Sequence, residues 1–116
     1  MEVTFWTALD TLLSQSEIII DRPKGSAHPK FADIIYPLDY GYLQGTSSMD
    51  GDGIDVWLGS NMELGITGIV CSVDLLKRDS EIKILVGCTD AERESVSAFH
   101  NQRLHMGGIL ICRDEK

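Results

Sequence analysis

Asp50-Gly51-Asp52-Gly53-Ile54-Asp55-Val56-Trp57-Leu58 is the stretch on which the reading of the fold turns. Its second half, from Ile54 to Leu58, alternates in a way that suits a strand with two unlike faces. Its first half packs three carboxylates into six residues, separated by glycines that let the backbone bend tightly. At ~5 Å and an effective dielectric of ~20, each like-charge pair repels by about 3 kcal/mol, so the cluster is costly without a cation. An EF-hand register from Asp50 fails, because it puts Ile54 at the fifth position, Asp55 where Gly is required and Asn61 where the bidentate Glu belongs. The plain structural alternative is a solvated Asx-type turn leading into a strand.

Working outward, residues 65–73 and 82–86 are rich in β-branched side chains and flank the charged run Lys77-Arg78-Asp79-Ser80-Glu81, a pattern that predicts a hairpin. Ile18-Ile19-Ile20, closed by Pro23, and Ile109-Leu110-Ile111-Cys112, preceded by Gly107-Gly108, complete a set of five short strands. Val3, Phe5, Trp6, Leu9, Leu12 and Leu13 recur at helical spacing over the first fifteen residues. Thr89-Asp90-Ala91-Glu92 is a capping box that opens a second helix running to about Gln102. Residues 21–39 show no period and are expected to form a loop or extended excursion. The prediction is one domain over residues 1–116, mainly β with flanking helices (α+β): a small five-stranded sheet or barrel with an N-terminal and a C-terminal helix.

Composition narrows the function. A chain of 116 residues with 43% apolar side chains can bury roughly two-thirds of its unfolded surface and needs no disulfide to fold. Its net charge of −8 repels nucleic acid and anionic lipid at long range, so no nucleic-acid partner is expected. A phosphate ligand stays compatible, because metal cations invert the sign of a carboxylate-lined site. Cys71, Cys88 and Cys112 are odd in number and set among apolar neighbours, which predicts buried free thiols and a reducing cytoplasm. No basic leader and no long apolar run is present, so no membrane association is expected. His28, His100 and His105 are dispersed, with the last two assigned to the second helix and its exit.

Upstream of the acidic stretch stands Tyr36-Pro37-Leu38-Asp39-Tyr40-Gly41-Tyr42-Leu43. Together the two segments resemble the soluble (family I) inorganic pyrophosphatases, in which Tyr-Pro-x-x-Tyr-Gly-Tyr precedes Asp-x-Asp-x-aliphatic-Asp at about this distance. The resemblance implies that Asp50 and Asp55 ligate activating Mg²⁺ (or Mn²⁺), that Asp52 helps deprotonate the attacking water, and that Tyr40 contacts a phosphate or orders the site, with Tyr36 assisting. It extends to Asp21 in Ile-Asp-x-Pro, where the family often has Glu. It also covers Glu81-x-Lys83, similar to an Asp-x-Lys whose acid binds metal and whose Lys binds phosphate, with Asp79 as a further acidic ligand. Lys30 corresponds to an early phosphate-binding Lys, and Arg22 and Lys24 stand nearby. Read without the resemblance, Glu81 and Lys83 are an ordinary surface pair at strand spacing.

The chain also departs from the family pattern. It lacks the hairpin that carries a phosphate-binding Arg; Phe99-His100-Asn101-Gln102-Arg103 shows no Tyr-Lys pair; and Gly53 replaces a Pro. The resemblance implies an OB-like five-stranded barrel, a homo-oligomer, and Mg²⁺-dependent hydrolysis of pyrophosphate or a related small phosphoanhydride by a metal-activated water. The alternative is a non-catalytic module that binds metal and phosphate without turnover.

Overall fold

The structure, a computed structural model, describes residues 4–48 and 51–113. Helix α1 (Phe5–Ser14) opens on a capping box in which the Thr4 hydroxyl accepts the Thr7 N–H and the Thr7 hydroxyl accepts the Thr4 N–H. Six strands follow: β1 (Ile18–Arg22), β2 (Asp39–Leu43), β3 (Ile54–Leu58), β4 (Ile66–Asp74), β5 (Asp79–Val86) and β6 (Met106–Cys112), with α2 (Asp90–Phe99) between β5 and β6. The predicted capping box at Thr89 and Glu92 is present. No described helix is long and apolar enough to cross a membrane.

The strands form one open sheet in the order β1-β2-β3-β5-β4-β6, antiparallel except for the parallel β3–β5 pair. This corrects the expected five-stranded barrel in both count and closure. The added strand is β2, whose Tyr40-Gly41-Tyr42 was not counted because glycine interrupts the β-branched pattern. Gly41 is there for a steric reason: a Cβ at this position would lie 1.8 Å from the Ile19 carbonyl oxygen of the neighbouring strand. Residues 23–38 form the expected excursion without helix or strand, folded back on itself by an isolated Ala27–Ile35 bridge and by Gly25 and Tyr36 N–H groups donating to the Tyr36 and Ser26 carbonyls.

Strand periodicity divides the side chains between two layers. Leu9 of α1 packs with Leu43, Val56, Ile69, Ile84 and Val86 on one face. On the other, Val96 of α2 and Tyr36 and Leu38 of the 23–38 segment cover Trp57, Val70 and Leu85. The cysteines are free, but only Cys88 is fully buried; Cys71 is half-buried and Cys112 exposed on β6, where alternation and an edge position uncover it.

Candidate functional site

Register brings the chemistry to the α2 face. On the β2–β3 pair Tyr42 opposes Asp55 and Tyr40 opposes Trp57; on the parallel pair Trp57 opposes Leu85. Two-residue alternation therefore puts Asp55 on the same face as Glu81 and Lys83 of β5. The Lys83 ammonium donates to Asp55 Oδ2 at 2.7 Å and to Glu81 Oε1 at 2.5 Å, and stands 5.9 Å from the Tyr40 ring centroid. Lys83 and Glu81 are each only 8% exposed, which overturns the surface-pair reading of their spacing.

Burial works against the Lys83 charge, yet Tyr40, Asp55 and Glu81 outweigh it and raise its pKa, so the ammonium is permanent at neutral pH. Burial raises the Tyr40 phenol, and the Asp55 carboxylate adds to the effect. Tyr36 is also pushed up by burial, against the opposing Arg22 guanidinium that donates to its hydroxyl.

A cleft of about 260 Å³ opens over this face. Tyr40, Glu81 and Lys83 lie along it, with Tyr36 and Arg22 beside them. Lys30, Lys77 and Arg103 line it further out, and Asp79 lies two residues from Glu81 on the same strand face. The other expected residues are elsewhere. Asp52 is exposed in the turn before β3, where its carbonyl accepts from the Ser48 N–H and hydroxyl, and neither it, Asp21 nor Lys24 lines the cleft; Asp55 does not line it either and reaches it only through its contact with Lys83. The Lys24 N–H is taken by Asp39 Oδ1. Asp50 lies outside the described residues.

The sequence assigns no site role to Lys77, Arg103, His28, His100 or His105, all of which line the cleft. Lys77 and Arg103 sit in turns, and the distance in sequence between them carries no signal of convergence. The Trp57 indole N–H donates to His100 Nε2 at 3.1 Å, and burial, helped by the Lys83 charge, lowers the His100 pKa to about 3.

Among the described residues, no three His, Cys, Asp or Glu side chains come together to hold a metal ion. Mg²⁺ nevertheless asks for only one or two carboxylates besides water and substrate oxygens. Asp55 and Glu81 are such a pair, with oxygens converging on one cation, here the ammonium of Lys83. On donor chemistry the pair fits the ion.

Compared by sequence, the chain matches no family model and no curated protein. Compared by structure, it is similar to an inorganic pyrophosphatase from Coxiella burnetii, with a TM-score of 0.55 and 15% identity over 84% of each chain. It is equally similar to a structure described as an inorganic phosphatase from Anaplasma phagocytophilum, with a TM-score of 0.55 and 15% identity over 82% of this chain and 81% of the other. The chain thus has a pyrophosphatase-like fold.

Proposed function

We propose that the protein is a Mg²⁺-dependent phosphoanhydride hydrolase acting on pyrophosphate or a close relative. The observation that carries this reading is the Lys83–Glu81 pair in a cleft lined by further cations, with Asp55 bonded to Lys83 from just outside the lining, on a pyrophosphatase-like sheet. Asp55 and Glu81 would hold the ion, with Asp50, Asp79 and Asp21 as the further donors the resemblance implies; Mn²⁺ would serve in its place. Bound there, the metal supplies charge neutralisation at phosphate oxygens and a lowered pKa for water.

The chain's own groups do the rest. Lys83 presents a fixed positive charge to a phosphoryl oxygen, most valuable as charge moves onto the leaving group. Tyr40 and Tyr36, both kept protonated by burial, are hydroxyl donors along the cleft, and Arg22 and Lys30 add positive charge further along it. In the reaction a water oxygen bonds to one phosphorus and the bridging P–O bond breaks, its electron pair leaving on the second phosphate. The water's proton passes to a carboxylate. The resemblance gives that task to Asp52, whereas Asp55 and Glu81 are the carboxylates already in contact with Lys83.

That placement of Asp52 favours the second reading, a module that binds metal and phosphate without turnover. We further propose that the protein works in the cytoplasm as a homo-oligomer. Phosphate release from pyrophosphate, assayed with and without Mg²⁺, tests the main reading. Mg²⁺-dependent release that Asp55→Asn abolishes supports it; binding of pyrophosphate without release leaves the binding module; neither binding nor release overturns both.

A further inference from the structure

The β4–β5 hairpin carries the cleft well beyond the Asp55–Lys83–Glu81 group. Lys83, Glu81 and Asp79 all line it, and the four residue steps from Lys83 back to Asp79 span about 13 Å at the rise of a strand. Lys77 lies beyond Asp79, in the hairpin turn. A diphosphate, with two phosphorus atoms on one bridging oxygen, covers only part of that length.

The rest of the cleft is walled by cations from four separate parts of the chain: Arg22 at the end of β1, Lys30 in the 23–38 segment, Lys77 in the turn and Arg103 after α2. They surround His28. Its pKa is lowered by burial and then by the positive charges of these same four side chains. The ring itself is fixed, lying within 8° of parallel to Tyr36 and accepting the Lys30 N–H on Nδ1 at 3.0 Å. Arg103 is tied to Asp33 at 2.5 Å, but Arg22, Lys30 and Lys77 have no carboxylate in ion-pair contact among the described residues. The acids that face them, Asp74 and Asp79, lie on the hairpin, and Asp74 Oδ1 is engaged by the Leu76 and Lys77 N–H groups. Four converging cations, three of them without such a partner, on a chain of net charge −8, form a site for concentrated negative charge.

We propose that the cleft binds a linear triphosphate group, its reacting end at Lys83 and Glu81, beside Asp55, and its distal phosphates on Arg22, Lys30, Lys77 and Arg103. The inference rests on the phosphoanhydride reading above and extends it from a diphosphate to a longer chain. Inorganic tripolyphosphate and a nucleoside triphosphate share this chemistry.

The test is titration calorimetry on the full chain in EDTA, where Mg²⁺-dependent turnover is silent, with pyrophosphate, inorganic tripolyphosphate and ATP as probes. Tripolyphosphate should bind about tenfold or more tightly than pyrophosphate, the size of one added charge-assisted contact. Lys77→Ala and Lys30→Ala, both at exposed positions, should each shrink that ratio while melting like wild type. ATP binding as tightly as tripolyphosphate assigns the site to a nucleotide, and tripolyphosphate alone binding tightly assigns it to the inorganic chain. Equal affinity for pyrophosphate and tripolyphosphate, a ratio unmoved by both variants, or no binding of any probe either in EDTA or with Mg²⁺ restored overturns the proposal. Because no turnover is read, phosphate release from pyrophosphate without a triphosphate preference would sink this inference alone, and tight triphosphate binding without hydrolysis would sink only the hydrolase reading.

Discussion

The Trp57 indole N–H and His100 Nε2 are joined by a 3.1 Å hydrogen bond between two buried side chains, one from the middle of the sheet and one from the end of α2. The bond requires His100 to keep Nε2 unprotonated, so docking of α2 onto the sheet depends on a neutral imidazole.

Acid should therefore loosen the fold before the carboxylates titrate. The unfolded histidine takes up a proton near pH 6.5, whereas the folded one resists until about 3. Stability from this group is present above pH 6.5 and is lost progressively as pH falls toward 3, by at most about 1.4 kcal/mol per unit. Urea unfolding from pH 4.5 to 7 should show this slope in wild type. In His100→Gln, whose amide oxygen still accepts from Trp57, the slope should flatten; an unchanged slope would remove His100 as its source.

A side chain at Gly41 should break the β1–β2 edge. Because the obstacle is the Ile19 backbone oxygen, no rotamer change relieves it, and Gly41→Ala should cost about 3 kcal/mol or more, at the upper end of overpacking effects. Gly107→Ala is the control, since its nearest neighbour would be the Asn101 side chain at 3.7 Å. Thermal melts of both variants check this, and two equally stable proteins would contradict it.

These residues show what the sequence could and could not reveal. Both helices, the acidic stretch entering β3 and the β4–β5 hairpin follow from local periodicity and capping. Strand β2 does not, because what Gly41 answers to is a neighbouring strand some twenty residues away in the chain. The site divides in the same way. Asp55, Glu81, Lys83, Tyr36 and Tyr40 were singled out by motif, while the burial of Lys83 between two carboxylates depends on the parallel β3–β5 pairing, a long-range choice that leaves no local mark.

Divalent metal should stabilise the folded chain by mass action if Asp55 and Glu81 hold it. Adding ~10 mM Mg²⁺ should raise the wild-type melting temperature, and Asp55→Asn should lose most of that rise. The comparison is between shifts with and without Mg²⁺ in each variant, because Asp55→Asn also weakens the contact with Lys83. Equal shifts in the two proteins would remove Asp55 as a ligand.

Lys83 should be required for stability as well as chemistry. Truncation to alanine leaves Asp55 and Glu81 facing each other in a poorly solvated place without their shared cation, a loss of about 3 to 5 kcal/mol for a broken buried ion pair. For a domain of this size that lowers the melting temperature by about 10 °C or more. Activity lost in Lys83→Ala would then be ambiguous, and a second variant resolves it. Lys83→Met combined with Asp55→Asn removes one charge of each sign and restores apolar volume, so it should melt several degrees above Lys83→Ala. If Lys83 and Asp55 act on the substrate, this restabilised protein still releases no phosphate from pyrophosphate; if it regains turnover along with its fold, the pair is a structural element and the chemistry belongs to other residues of the cleft.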